Sequence, residues 1–236
     1  YNTAMSNLLS SANALMAANG TGVMSDLSVS SSDTDVADAS INYRPREAKT
    51  FAVDVQQLAQ AQQNNSAGVT GGQSATDDMD FKIESAQGRV INVNVSALYD
   101  DGTAKTNRQM LREAAAQINE AGGNVRAKVI EEDGKVSLQV SGKETGQHNS
   151  FSVTGELGAA KGLDQETMSA QNAEYTVTEN GRTTSHASDT NSIGLDLGRI
   201  NVQLKDTGSV NISTAPDEKK IVSAVEDLVK SYNSAI

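Results

Sequence analysis

Cysteine and tryptophan are absent from the 236 residues, proline and histidine each occur only twice, and aromatic residues make up 3% of the chain. Without thiols there is no disulfide framework, no thiol nucleophile and no thiolate-bound zinc, although the compartment stays open because many extracellular bacterial proteins also lack cysteine. Catalytic and ligand pockets lean on aromatic side chains and convergent polar groups, so their scarcity points to a structural protein. No apolar run approaches the roughly 20 residues of a membrane span, and nothing resembles a signal peptide. Positive charge is also short: 19 basic against 30 acidic residues leave a net charge of −11. Such a surface repels phosphate backbones, which excludes nucleic acid as a partner, and it favours solubility. The chain opens at Tyr1 rather than Met. We therefore expect an excised piece, with the natural N-terminus and any export information lying elsewhere.

What is present is enough hydrophobic material, 37% of the residues, for one large domain or two modest ones. Residues 1 to 18 place Met5, Leu8, Leu9, Ala12, Leu15 and Met16 at helical spacing, with Asn19-Gly20 as the close. The other end mirrors this. Ala215-Pro216-Asp217-Glu218 starts a helix, and Ile221, Val222, Val225, Leu228, Val229, Tyr232 and Ile236 form its apolar stripe. Each stripe needs a partner, the two terminal helices are the obvious pair, and their spacing suits the start of a coiled coil.

Between them the chain reads as strands and turns. Gly20 to Asp38, rich in Ser, Asp and Thr, reads as linker; Ala39 to Tyr43 is a short strand and Arg44 to Glu47 a turn. Phe51, Val53 and Val55 share one face of a strand that runs into the polar exit Leu58 to Gln63. Ser66 to Ser74, glycine-rich and small, marks the crossing into a second domain. There, Phe81 to Ile83 and Val90 to Val95 alternate about a Gln87-Gly88 turn. Thr106-Asn107-Arg108-Gln109 has the form of a capping box ahead of a helix whose apolar face is Met110, Leu111, Ala114, Ala115, Ile118 and Ala121. Val125, Ala127 and Val129 pair with Val136, Leu138 and Val140 across an Asp133-Gly134 turn, and Phe151 to Val153 adds another strand. Two more hairpins are expected after the Gly155 to Gly162 loop, turning at Asn180-Gly181 and at Asp206-Thr207-Gly208. The fold class is α+β: packed terminal helices with β-hairpins form a discontinuous outer domain, and a mostly antiparallel sheet covered by one helix is inserted into it. The expected boundaries are 1–70, 71–170 and 171–236.

Four stretches, in order, are similar to the bacterial flagellar filament cap proteins, also called hook-associated protein 2 or FliD. Val53 to Gln62 resembles that family's V-x-Q-L-A-x-A-Q signature, and Ser30 to Asp33 its S-S-D segment. Ile118-Asn119 followed by Asn124-Val125-Arg126-Ala127 resembles its hook IN block. Asn191, Ile200 to Leu204, Gly208, Val210 and Ser231-Tyr232-Asn233 resemble its tail. The resemblance implies that residues 1–70 and 171–236 make a leg facing the filament and 71–170 an outward head. It also implies that the long terminal coiled-coil segments of the family are missing.

As implied by that resemblance, the chain is a non-enzymatic structural subunit without cofactors. It is exported by the flagellar apparatus to the filament tip outside the cell, where a homo-oligomeric ring, in contact with flagellin and other hook-associated proteins, promotes flagellin insertion. Leu8, Leu15, Val225, Leu228 and Tyr232 are the candidates for helix packing or assembly. Val53, Val55, Leu58 and Gln60 are candidates for subunit contact, although each of these apolar residues is equally readable as internal core. A surface adhesin binding mucin or glycan through the head, or another hook-associated junction protein, is the alternative. The bland readings hold for the rest. His148 and His186 sit in polar loops without metal-ligand spacing, Glu131-Glu132-Asp133 is a solvated turn, and Gly155 to Gly162 departs from a phosphate loop at Ala160 and Gly162.

Overall fold

The computed structural model describes residues 2–15 and 22–236. The expected contribution of Met16 to the first helix, and its close at Asn19-Gly20, lie outside the described residues. In chain order the elements are α1 (Asn2–Leu15), β1 (Leu27–Ser31), β2 (Ala37–Ile41), β3 (Thr50–Gln57), β4 (Gln63–Asn65), β5 (Val69–Thr70), β6 (Met79–Ser85) and β7 (Val90–Val95). They continue with α2 (Asn107–Ala121), β8 (Val125–Glu132), β9 (Lys135–Gly142), β10 (Phe151–Glu156), β11 (Glu166–Met168) and β12 (Ala173–Glu179). The last are β13 (Arg182–Ser188), β14 (Ser192–Leu195), β15 (Ile200–Leu204), β16 (Gly208–Pro216) and α3 (Glu218–Ala235). The fold is α+β with mostly antiparallel sheets. It divides into two units: the first comprises the residues up to Gln56 with Tyr175–His186 and Ser192–Ile236, the second Gln57–Glu174 with Ala187–Asn191.

The first unit holds a five-stranded sheet ordered β1-β16-β3-β12-β13 and a three-stranded sheet β14-β15-β2. Period-two alternation places Phe51 opposite Ile212 and Val53 opposite Val210, and all four are buried. The second sheet contributes Ile193, Leu195, Ile200, Val202 and Leu204 to the core. Two expectations are corrected here. The presumed linker contains β1, a strand with only Leu27 and Val29 as apolar residues, which forms because β16 supplies its hydrogen-bond partners. The hairpin expected at Asp206-Thr207-Gly208 does not form, since β15 pairs with β14 and β2 while β16 pairs with β1 and β3. Its place is taken by β14 and β15, joined by Asp196, Leu197, Gly198 and Arg199, the first three with positive φ.

The second unit surrounds α2. Thr106 caps the helix reciprocally with Gln109, its Oγ1 accepting from Gln109 N at 3.3 Å while Gln109 Oε1 accepts from Thr106 N at 2.8 Å, a device contributing about 1 kcal/mol. The buried face of α2, with Met110, Leu111 and Ile118 fully enclosed, joins one core with β6, β7, β9 and β10; each such side chain contributes roughly 1.5–3 kcal/mol by leaving water. The sheets are β10-β6-β7 and β11-β4-β9-β5, with β8 paired to β9. The turn at Asp133 and Gly134, both at positive φ, closes the β8–β9 hairpin as the sequence suggests. The chain enters this unit at Gln57, ahead of the glycine-rich stretch, because β4 and β5 are strands that pair with β9 rather than a linker.

Candidate assembly surfaces

The terminal helices pack on each other. Ala4, Leu8, Ser11 and Leu15 are the half-buried positions of α1, and Ile221, Ala224, Leu228, Ser231 and Ala235 those of α3. Both series step alternately by three and four residues, the spacing of a coiled-coil seam. Ser11 and Ser231 share a hydrogen bond across it at 2.9 Å. Asp217 caps α3 by accepting from Lys220 N at 3.2 Å.

Beside this seam runs a second stripe with the same spacing. Met5 and Leu9 on α1, and Val222, Val225, Val229 and Tyr232 on α3 with Ile236 just beyond it, are exposed. The structure therefore separates the five residues expected to hold the helices. Leu8, Leu15 and Leu228 are in the seam, whereas Val225 and Tyr232, 43% and 53% exposed, lie on the outer stripe.

The Val53 to Gln62 stretch is engaged within its own chain. Val53 and Val55, at 1% and 2% exposure, are enclosed in the core of their own unit. Leu58 and Gln60 are half-buried. Gln60 exchanges both backbone hydrogen bonds with Gln171, at 2.9 and 3.1 Å, and its Nε2 donates to Ser169 O at 3.1 Å. Ala59 is clamped on both sides by the amide of Asn191, which accepts from Ala59 N at 2.7 Å and donates to Ala59 O at 2.9 Å. Gln62, 1% exposed, donates to Phe151 O at 2.7 Å and Asn64 Oδ1 at 2.9 Å and accepts from Phe151 N at 2.8 Å. What reads as a polar exit is a connection between β3 and β4 pinned by amides.

The Ile118-Asn119 block works by the same device. Ile118 is in the core, while Asn119 donates to Ala127 O and accepts from Ala127 N, both at 2.9 Å, tying the end of α2 to β8. Gly122 and Gly123, at φ 65° and 112°, make the turn between them, and Arg89 donates to Ala121 O at 3.0 Å. Two of the motif stretches, around Gln62 and at Asn191, thus meet in space, a contact their separation in sequence hides.

Electrostatics reinforces these elements. Lys49 Nζ lies 3.1 Å from Asp196 and 3.2 Å from Glu179, and hydrogen bonds to Asp196 and then Glu179 hold its ammonium well above the usual lysine range. The Arg108 hydrogen bond, aided by Arg112, holds the Glu131 carboxyl below its ordinary value. Two hydrogen bonds from Thr103 do the same for Asp101. Desolvation pushes the Tyr175 phenol up, and its ring stacks on His186 at 5.3 Å. Among the described residues, no group of three or more His, Asp or Glu side chains converges as a metal site, and no helix is long and apolar enough to cross a membrane.

No family model matches this chain, and no curated protein matches it either. Solved structures do. A crystal structure of the D1-D2-D3 domains of the flagellar cap protein FliD from Escherichia coli matches with TM-score 0.62 and 25% identity over 98% of this chain and 68% of that one. The D2-D3 domains of the same protein match with TM-score 0.62 and 25% identity over 81% of this chain and 100% of that one. The D2-D3 domains of FliD from Serratia marcescens match with TM-score 0.54 and 26% identity over 73% and 94%. Together with the order of the four motif stretches, these matches show a chain that is similar to the FliD flagellar cap proteins over most of its length.

Proposed function

We propose that this chain is a structural subunit of the cap at the tip of the bacterial flagellar filament, where a ring of copies promotes insertion and polymerisation of exported flagellin. The observation that carries this reading is the match over 98% of the chain to three consecutive domains of a flagellar cap protein. In this reading the first unit is the leg and the second the head. The share of the chain matched rises from 81% to 98% when the D1 domain is included, which supports reading the terminal helices as the counterpart of that domain. Flagellin and other hook-associated proteins are the partners, the place is outside the cell, and the flagellar export apparatus is the route. The chain does no chemistry; its working parts are surfaces.

The outer stripe of the helix pair is the first of these. Two helices bury one seam each and leave a second, parallel apolar row in water, an arrangement that a bundle of more than two helices completes. Val225 and Tyr232 belong to that assembly face, while Leu8, Leu15 and Leu228 hold the pair itself. Leu58 and Gln60 keep the chain's own crossing in place. Introducing Val222→Asp with Val229→Asp into the full-length parent gene tests this. The expected result is a stable, exported protein that fails to restore filaments to a deletion strain; normal filaments would remove the outer stripe from the account.

A further inference from the structure

The face of the second unit's sheet that points away from α2 is built of uncommitted polar groups. Strand register sets Met168, Gln63, Ser141 and Arg126 in one row across β11, β4, β9 and β8, and Asn65, Gln139 and Lys128 in the next. These rows border a cleft of about 400 Å³ lined by Gln63, Arg126, Lys128, Gln139 and Ser141. In a chain of net charge −11, Arg126 and Lys128 stand two residues apart on one face, and among the described residues neither makes an ion pair or side-chain hydrogen bond. Met168, 42% exposed, supplies an adaptable apolar end to the same row.

One loop of the same unit carries the complement. Leu98 and Tyr99 are exposed, and Asp100 and Asp101 follow them directly. The loop is stiff: Tyr99 N donates to Thr103 O at 2.9 Å, Gly102 N to Tyr99 O at 2.9 Å, and Asp101 accepts from Thr103 N and Oγ1 at 2.9 and 2.6 Å. Glu131, by contrast, is already paired with Arg108 and Arg112.

We propose that the Leu98–Gly102 loop of one copy docks on the outer face of β11, β4, β9 and β8 of the next, Asp100 and Asp101 toward Arg126 and Lys128, Leu98 and Tyr99 toward Met168. The occupant is a second copy of this chain because each copy carries both halves of the match, in charge and in apolar content. Different surfaces meet, so the contact is head to tail, the kind that closes into a ring when the rotation allows. The inference rests on the ring reading and specifies a contact for it. Rim charges of this type set register and partner choice more than raw affinity. A preorganised loop loses little freedom on docking.

The test is charge exchange in the whole chain, followed by sedimentation velocity. The wild type is expected to self-associate as its concentration approaches about 1 mM, and less so as NaCl is raised from about 50 to about 500 mM. Arg126→Glu with Lys128→Glu, and separately Asp100→Lys with Asp101→Lys, are each expected to weaken association at least about tenfold. An equimolar mixture of the two variants is expected to recover it to within about threefold, because each then offers the other a matched pair. Unchanged melting of both variants shows that the fold is intact. A wild-type chain that stays monomeric, variants that associate as tightly as wild type, or a mixture that fails to recover each overturns the docking. The ring reading is judged apart from it, by whether the wild-type parent gene restores filaments to the deletion strain.

Discussion

Gln62 separates two readings of the motif that first suggests the family. If the stretch served subunit contact, changing Gln62 would alter association and leave the folded chain alone. The structure instead buries its amide among Phe151 N, Phe151 O and Asn64 Oδ1, at 2.7–2.9 Å. Gln62→Met keeps the length of the side chain and removes all three hydrogen bonds, leaving an N–H and two oxygens without water. A buried group stripped of its partner costs about 1–3 kcal/mol. Allowing for relaxation and for the added apolar contact, the total is about 3–5 kcal/mol. In urea, with a slope of about 2 kcal/mol per M, the midpoint of the second unit falls by about 2 M with unchanged slope. Gln62→Glu adds a pH signature. Its carboxylate would face two oxygens in a buried site, so its folded pKa lies above the unfolded value and the penalty is absent at pH values below both. It sets in as pH rises past the unfolded carboxylate value and is complete above the folded one, so the variant is closer to wild type at pH 4 than at pH 7. A loss below about 1 kcal/mol for Gln62→Met, with weakened association, would instead place Gln62 at a subunit contact.

On α3, Leu228→Asp is expected to separate the terminal helices and lower helicity by circular dichroism. Val229→Asp, one residue away on the exposed stripe, is expected to leave helicity unchanged, within about 0.5 kcal/mol of wild-type stability. Glu131 gives a pH dependence: its folded pKa is lowered from 4.5 by the Arg108 hydrogen bond, so its contribution is complete above 4.5 and lost as pH falls through the folded value. The urea midpoints of wild type and Glu131→Gln are therefore expected to differ at pH 6 and to converge as the pH falls below the folded value. Gly155→Ala is expected to cost about 3 kcal/mol or more by thermal melting, because φ is +127° and an added Cβ would stand 2.5 Å from Asp80 O.

The legible parts of this fold are those written locally. The Thr106 capping box, the Asp133-Gly134 and Asn180-Gly181 turns and the two terminal stripes each depend on residues a few positions apart, and the structure has them where the pattern puts them. Strand β1 is hidden because it borrows its order from β16, with Leu27 opposite Pro216 and Ser31 opposite Ile212. The deeper miss is Gln62. With Asn64 and Ser66 it forms a period-two series of buried positions, but in polar letters, since each meets a hydrogen-bond partner inside: Gln62 at Phe151, Asn64 at Leu163 O and Ser66 at Leu138 N. An amide or hydroxyl at every second residue, with no charge between, was the available signal. For the assembly face, the sequence marks every apolar position on α3, but not which row of the stripe the partner helix takes; that depends on the rotation of α3 against α1, a tertiary choice.

The most direct measurement deletes the parent gene and examines the cells and their medium. The account predicts cells without filaments, flagellin accumulating unpolymerised in the medium, and filaments restored by the full-length gene. Normal filaments on the deletion strain would contradict it.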